Sequence, residues 1–376
     1  MSDNEGVRFK AASARGGDWR QATLACLAEL GETPAEANLG FLYGTSPLAG
    51  DLDHILALLR DTTRVETWVG TVGGGIASSG VEYHEEPAVS IMVAALPEDG
   101  FRVFQPVVDS LAPFQAEHGE WIERHGPFFG IVHGDPRNAK IDQVLSELSA
   151  ATSTFLVGGL SAAPEAMPQI AGRVVEGGLS GVLFDPGLAV VSGLSQGCSL
   201  IGQQRLVTEC ERNVIKTLDG RPALEVLKED IGEILARDLR RIGGYIHVAF
   251  PIPGTDTGDY LVRNLIGLDL ERQLVGVGEL VTEGQAIQFC RRDNASAEQD
   301  LKRMLSDVKA RADRPPKAAV YFSCLARGPH LFGPQSEELR LLRDELGDLP
   351  LVGFYANGEI SNNRLYGYTG VLALFL

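Results

Sequence analysis

No apolar run in this chain approaches the roughly 20 residues that a membrane-spanning helix needs. The longest, Gly181 to Leu194, is interrupted by Asp185-Pro186. The N-terminus, MSDNEGVRFK, has no apolar core of signal-peptide length. Both absences exclude membrane insertion and point to the cytoplasm. Clustered lysine and arginine are also missing: 33 basic residues against 50 acidic ones leave a net charge of −17, spread along the chain. That distribution excludes nucleic acid and anionic membranes as partners, since both need basic clusters.

Cysteine is scarce too. The five residues Cys26, Cys198, Cys210, Cys290 and Cys324 are scattered, odd in number and free of any CxxC pair, so they form neither a disulfide framework nor a structural zinc site. His118 and His125 lie seven apart on one predicted helix, but no third ligand accompanies them; they read as solvated, and no metal is expected. The glycine-rich stretch Gly70 to Gly80 lacks both the Lys-Ser/Thr of a P-loop and GxGxxG spacing, so it reads as a hairpin-like turn and no cofactor is expected.

Glycine is abundant, at 44 of 376 residues, well above the usual roughly 7%, as a fold with many tight strand turns requires. The stretch from Leu349 to Leu376 shows why. Apolar Leu351-Val352-Gly353-Phe354 runs into Ala356-Asn357-Gly358-Glu359, and Thr369 to Leu376 returns as a second apolar strand. A strand, Ala318 to Cys324, and a helix opening at Ser336 precede it. The same order, strand, helix, strand, glycine-rich turn, strand, recurs from Ala37, from Phe128 and, with a poor helix, from Gly244. Val69-Gly70, Val157-Gly158, Val275-Gly276 and Val352-Gly353 mark equivalent places.

The expected fold is therefore α/β: two similar halves built from internally duplicated units, with sheets packed against outer helices. The first half is 1–222, with units near 37–96 and 128–185 and a connecting strand pair at 188–217. The second is 223–376, with units near 244–292 and 318–376.

The segment Leu188 to Leu227 is least like the repeats. It reads as two long strands joined around Gly197 to Gly202, then a helix with Pro222 in its first turn. Gly193-Leu-Ser195-Gln-Gly197 matches the GxSxG nucleophile elbow, but the following CSLIG is not helical, as that elbow demands. Hydrolysis through Ser195 or Cys198 is therefore the secondary reading.

The run Ser195-Gln196-Gly-Cys198-Ser-Leu-Ile-Gly202, with Thr208, Asn213-Val-Ile215 and Leu218-Asp-Gly-Arg-Pro-Ala-Leu-Glu-Val-Leu227, resembles the junction of the FIST-N and FIST-C domains. Ser323-Cys-Leu-Ala-Arg-Gly328, Phe332-Gly333, Asn357-Gly-Glu359 and Gly367-Tyr-Thr-Gly370 are similar to the FIST-C pattern. The resemblance implies a sensory protein of signal transduction that binds a small metabolite, with amino acids the suggested ligand class. With no F-box, kinase, cyclase or chemoreceptor segment in the chain, it also implies a separate signalling partner; a scaffold that only binds other proteins is a third reading.

Repeats and resemblance together nominate Gln196, Cys198, Cys324, Arg327, Asn357 and Glu359 as ligand-binding residues at turns and strand ends. For an amino-acid ligand, Arg327 holds the carboxylate while Glu359 and Asn357 accept from the ammonium. The competing structural reading has Arg327 paired with Glu359 and Asn357 supplying a left-handed turn. For the cysteines, the small buried hydrophobe competes with the nucleophile.

Overall fold

The computed structural model describes residues 7–252 and 260–376; residues 1–6 and 253–259, the latter within the third expected repeat unit, lie outside the described residues. The chain forms two compact units. One comprises residues 1–195 with 301–376, and the other residues 196–300. Residues 223–300, read from the sequence as part of the second half, thus fall in the smaller unit.

The larger unit repeats one path three times. The first copy is β1 (Arg8–Arg15), α1 (Trp19–Leu30), β2 (Leu39–Thr45), α2 (Leu52–Thr63), β3 (Thr67–Gly73), a hairpin of β4 (Gly75–Ser78) and β5 (Val81–His84), and β6 (Ala88–Ala95). The second is β7 (Phe101–Val107), α3 (Ala112–His125), β8 (Phe129–Gly134), α4 (Ile141–Thr152), β9 (Phe155–Leu160), a hairpin of β10 (Gln169–Ala171) and β11 (Val174–Val175), and β12 (Leu179–Phe184).

The third copy opens with β13 (Val190–Gln196). The smaller unit then intervenes with β14 (Cys198–Leu200), β15 (Arg205–Glu211), β16 (Val214–Leu218), β17 (Arg221–Pro222), α5 (Ala223–Ile231), α6 (Glu233–Ala236), β18 (Ile246–Pro251), β19 (Tyr260–Asp269), β20 (Leu274–Val277) and β21 (Ala286–Arg292). The third copy resumes with α7 (Asn294–Arg311), β22 (Ala318–Cys324), α8 (Glu337–Leu346), β23 (Leu351–Ala356), a hairpin of β24 (Glu359–Ser361) and β25 (Arg364–Tyr366), and β26 (Thr369–Phe375).

Each copy builds a sheet in which its two central strands run parallel across a helix: β2 with β3, β8 with β9, β22 with β23. The closing strand then pairs antiparallel with the first of the two. Each hairpin leaves its own sheet. β4 pairs with β23, β10 with β3 and β24 with β9, so the three sheets exchange hairpins in a closed cycle.

Register fixes the equivalences. Leu42, Val132 and Tyr321 lie opposite Gly70, Gly158 and Gly353. A Cβ at any of these glycines would sit 1.7–1.8 Å from the carbonyl oxygen of that partner, so no side chain fits there. At Gly276 a Cβ would meet nothing closer than Ile266 Cγ1, at 3.3 Å, and the Gly267 carbonyl, at 3.4 Å. Three of the four Val-Gly pairs are thus equivalent and the fourth is not.

The next position along, Tyr43, His133 and Phe322, brings one ring from each copy together at the centre. Centroids are 5.5–6.5 Å apart and Tyr43 Oη lies 3.1 Å from His133 Nε2. Burial pushes the His133 pKa down to about 3, so the ring is neutral. The inner sheet faces form one buried core around these rings. The outer faces carry the helices: α1 and α2 cover the first sheet, α3 and α4 the second. Leu24 of α1 is half exposed.

In the smaller unit the expected third repeat is an antiparallel meander. β18, β19 and β20 pair in turn, and β21 pairs with β18 as well as with β14 and β15. The stretch YLVRNLIGL is strand β19: Tyr260 and Val262 are buried and Leu261 and Arg263, alternating with them, are half-buried, so its first four residues follow a period of two rather than 3.6. α5 packs its Leu224 and Leu227 into this sheet.

Candidate functional site

The C-terminal ends of β22 and β23 lie side by side, where open α/β sheets place ligands. There the third copy departs from the other two. At the position of Leu42 and Val132 it has Tyr321; at that of Gly44 and Gly134 it has Ser323; at that of Val72 and Leu160 it has Tyr355. Six residues after Leu42 stands buried Leu48, and six after Tyr321 stands Arg327. In the helices, Ile55 and Val144, buried nine residues before their C-caps Arg64 and Ser153, are answered by Glu338, nine before Gly347.

These polar groups bind one another. Arg327 and Glu338 are both fully buried, with Arg327 Nε donating to Glu338 Oε1 at 2.8 Å. The same carboxylate accepts from Tyr321 Oη at 2.7 Å, Ser323 Oγ at 3.1 Å and the Gly328 N–H at 2.9 Å. Burial alone pulls the Arg327 pKa down, but Glu338 and Tyr321 outweigh it and hold the guanidinium above its ordinary range. Burial and then Glu338 push Tyr321 well up, and the same two causes followed by Glu82 act on Tyr355. Tyr355 Oη donates to Glu82, and its ring lies 4.6 Å from His84. Both partners come from the first copy's hairpin.

The terminal nitrogens of Arg327 are less well served. Nη1 reaches the Ser195 carbonyl at 3.5 Å; Nη2 reaches Ser195 Oγ at 3.5 Å and Tyr321 Oη at 3.4 Å. These sit at the outer limit of hydrogen bonding, so the fork keeps donor capacity.

Glu359 is fully buried. Its Oε2 accepts from Thr369 N–H at 3.0 Å and Oγ1 at 2.9 Å, while Oε1 has no partner. Burial raises its pKa to about 8 against the pull of Thr369, Arg327 and the Cys324 thiol. The equivalent residue of the second copy is Gln169, since Ile360 and Ile170 lie opposite Gly158 and Gly70. Gln169 satisfies both ends of its amide, donating to Gly178 O at 2.9 Å and accepting from Ser180 Oγ at 2.5 Å. Burial and Glu359 raise the Cys324 thiol far above its ordinary range, so it is no thiolate at neutral pH.

The structure thus brings Cys324, Arg327 and Glu359 into one neighbourhood with Ser195, and adds Tyr321, Ser323, Glu338 and Tyr355. Arg327 pairs with Glu338 rather than Glu359. Asn357 is exposed, and Gly358, with φ 123°, takes the left-handed conformation expected of Asn357. Gln196 and Cys198 belong to the smaller unit. There the Gln196 N–H donates to Asp300 at 2.6 Å and Tyr260 Oη donates to the Cys198 carbonyl at 2.5 Å. A hydrogen bond with Cys198, together with burial, pushes Cys290 well up.

Ser195 lies inside strand β13 rather than on a strand-to-helix elbow, and its hydroxyl faces a guanidinium, which cannot take its proton. His118 is buried against Phe114, and His125 bridges Asp185 and Asp99 at 2.8 and 2.9 Å, so neither is solvated. Among the described residues no three His, Cys, Asp or Glu groups gather as metal ligands, and no helix is long and apolar enough to cross a membrane.

Comparison with known proteins returns the same domains. A FIST N domain matches residues 38–221 and a FIST C domain residues 223–362. "Uncharacterized protein Rv0628c" of Mycobacterium tuberculosis is 31% identical over 363 residues, with 92% of each chain covered. "Uncharacterized protein Mb0898c" of Mycobacterium bovis is 35% identical over 214 residues, 54% of each chain.

Proposed function

Since the chain belongs to the FIST family, whose domains are regarded as sensory modules of signal transduction, we propose that it senses a small metabolite, an amino acid or a related compound, through the polar cluster of its third copy. One observation carries this reading. The fold fills the same places with Leu42, Gly44, Leu48, Ile55 and Val72 in the first copy, whereas the third buries an ion pair and three hydroxyls there. Buried ion pairs contribute little net stability compared with packed apolar residues, so folding alone does not account for them. Arg327, with weakly engaged terminal nitrogens, suits a ligand carboxylate. Glu359, with an unpartnered oxygen beside Cys324, suits an ammonium or amide, because an unsatisfied buried oxygen calls for a partner.

The signal then passes to a separate signalling protein. Native mass spectrometry of freshly purified protein, followed by thermal scans against the twenty amino acids, tests the reading. A co-purifying metabolite or a ligand-dependent rise in melting temperature supports it. No bound molecule and no shift with any amino acid rejects the amino-acid assignment.

A further inference from the structure

Among the described residues, strand β1 ends its sheet with β6 as its one neighbour. Gly16, opposite Pro87 in the same register, donates its N–H to the Pro87 carbonyl at 3.0 Å. Bonded pairs alternate along an antiparallel ladder, so Lys10, Ala12 and Ala14 direct their backbone groups to β6. Phe9, Ala11 and Ser13 direct theirs away from it, onto an open edge. Along that edge runs a groove of about 500 Å³, lined on one side by 9–13 and on the other by Ser78, Ser79, Val81 and Tyr83. At roughly 3.3 Å per residue the open edge is about 13 Å long.

The second copy closes the matching seam. Ala11 faces Met92 where Val103 faces Val182, and Ser13 faces Ser90 at the place of Gln105 beside Ser180. Gln105 reaches across and donates to the Ala171 carbonyl at 2.6 Å. Two shortened side chains therefore open the groove in the first copy. Acidic charge prevails on its wall: Glu29 and Asp348 stand exposed there, two carboxylates against the one ammonium of Lys10, which is drawn to the Glu32 carbonyl at 2.9 Å.

We propose that this groove docks an extended peptide segment of a partner protein, added to β1 as a further strand and carrying a lysine or arginine toward Glu29 and Asp348. Main-chain hydrogen bonds to Phe9, Ala11 and Ser13 supply the affinity and the two carboxylates select the basic side chain. The inference is independent of the metabolite reading, because no residue of the Arg327 cluster lines the groove.

The test uses the full chain against two libraries of blocked pentapeptides, one with a central lysine and one with a central glutamate. Lysine peptides should be retained over glutamate peptides. Their binding should slow amide exchange at Ala11 and Ser13, with no change at Lys10 and Ala12, whose N–H groups already bond β6. Ser13→Gln, which copies the seam of the second repeat, should weaken binding at least tenfold. So should Ala11→Pro, which removes an outward N–H while leaving the ladder to β6 intact. Equal retention of both libraries, or lysine peptides bound as well by both variants, would overturn the proposal. Competition by free lysine at the concentration of the peptides would overturn it in favour of a small-molecule site.

Discussion

Arg327 and Glu338 set the energetics of the candidate site at the scale of single residues. Removing one member of a fully buried pair leaves a charge without its counterion, so Arg327→Leu should cost about 3–5 kcal/mol in chemical denaturation. Replacing both, Arg327→Leu with Glu338→Leu, puts apolar residues where the first copy has Leu48 and Ile55. The double variant removes the uncompensated charge but leaves the Tyr321 and Ser323 hydroxyls and the Gly328 N–H without their acceptor, so its stability should fall between that of the single variant and wild type. A double variant less stable than the single one would show that the pair holds the fold.

Glu359 makes a pH-dependent contribution. Its folded pKa of about 8 exceeds the ordinary 4.5, so the unfolded chain loses this proton first. The stability it contributes is complete below pH 4.5 and falls as pH rises toward 8, by at most about 1.4 kcal/mol per unit. Glu359→Gln, which copies Gln169, removes that loss. The stability difference between variant and wild type should grow from pH 4.5 to 8, and a flat difference would contradict the assignment.

The elements make a different demand. Gly158 and Gly353 lie where two backbones meet, and a Cβ there would overlap a carbonyl of the neighbouring strand. Gly158→Ala and Gly353→Ala should each cost about 3 kcal/mol or more, because the clash is with backbone that cannot rotate away. Gly276→Ala, in the smaller unit, should cost no more than about 1 kcal/mol. Thermal unfolding of the three variants separates true repeat positions from the chance Val-Gly pair, and equal losses would refute the distinction.

The units around Ala37, Phe128 and Ala318 were legible because their apolar strands, helical stripes and glycine turns are local signals. The stretch from Gly244 was misleading for a local reason as well: apolar residues dense enough to suggest a unit alternate in the structure as strands. The exchanged hairpins were not legible, since pairing β4 with β23 depends on a partner more than 270 residues away in the chain, about which local pattern carries no information.

Across the whole molecule, the three copies act as internal controls for one another. Cys324, Arg327 and Glu359 were legible as candidates because each stands at a strand end: Cys324 closes β22, Arg327 lies three residues beyond it, and Glu359 opens β24 after Asn357-Gly358. Glu338 was not, because an acidic residue in the first turn of a helix is ordinary on the surface; its burial appears only once Arg327 folds back onto it. The double variant Arg327→Leu/Glu338→Leu tests the central claim most directly, by converting the third copy to the pattern of the first. Isothermal titration of both proteins with the metabolite found on the wild type should show binding lost in a variant that still unfolds cooperatively and melts above Arg327→Leu. Undiminished affinity in that variant would place the ligand elsewhere and contradict the account.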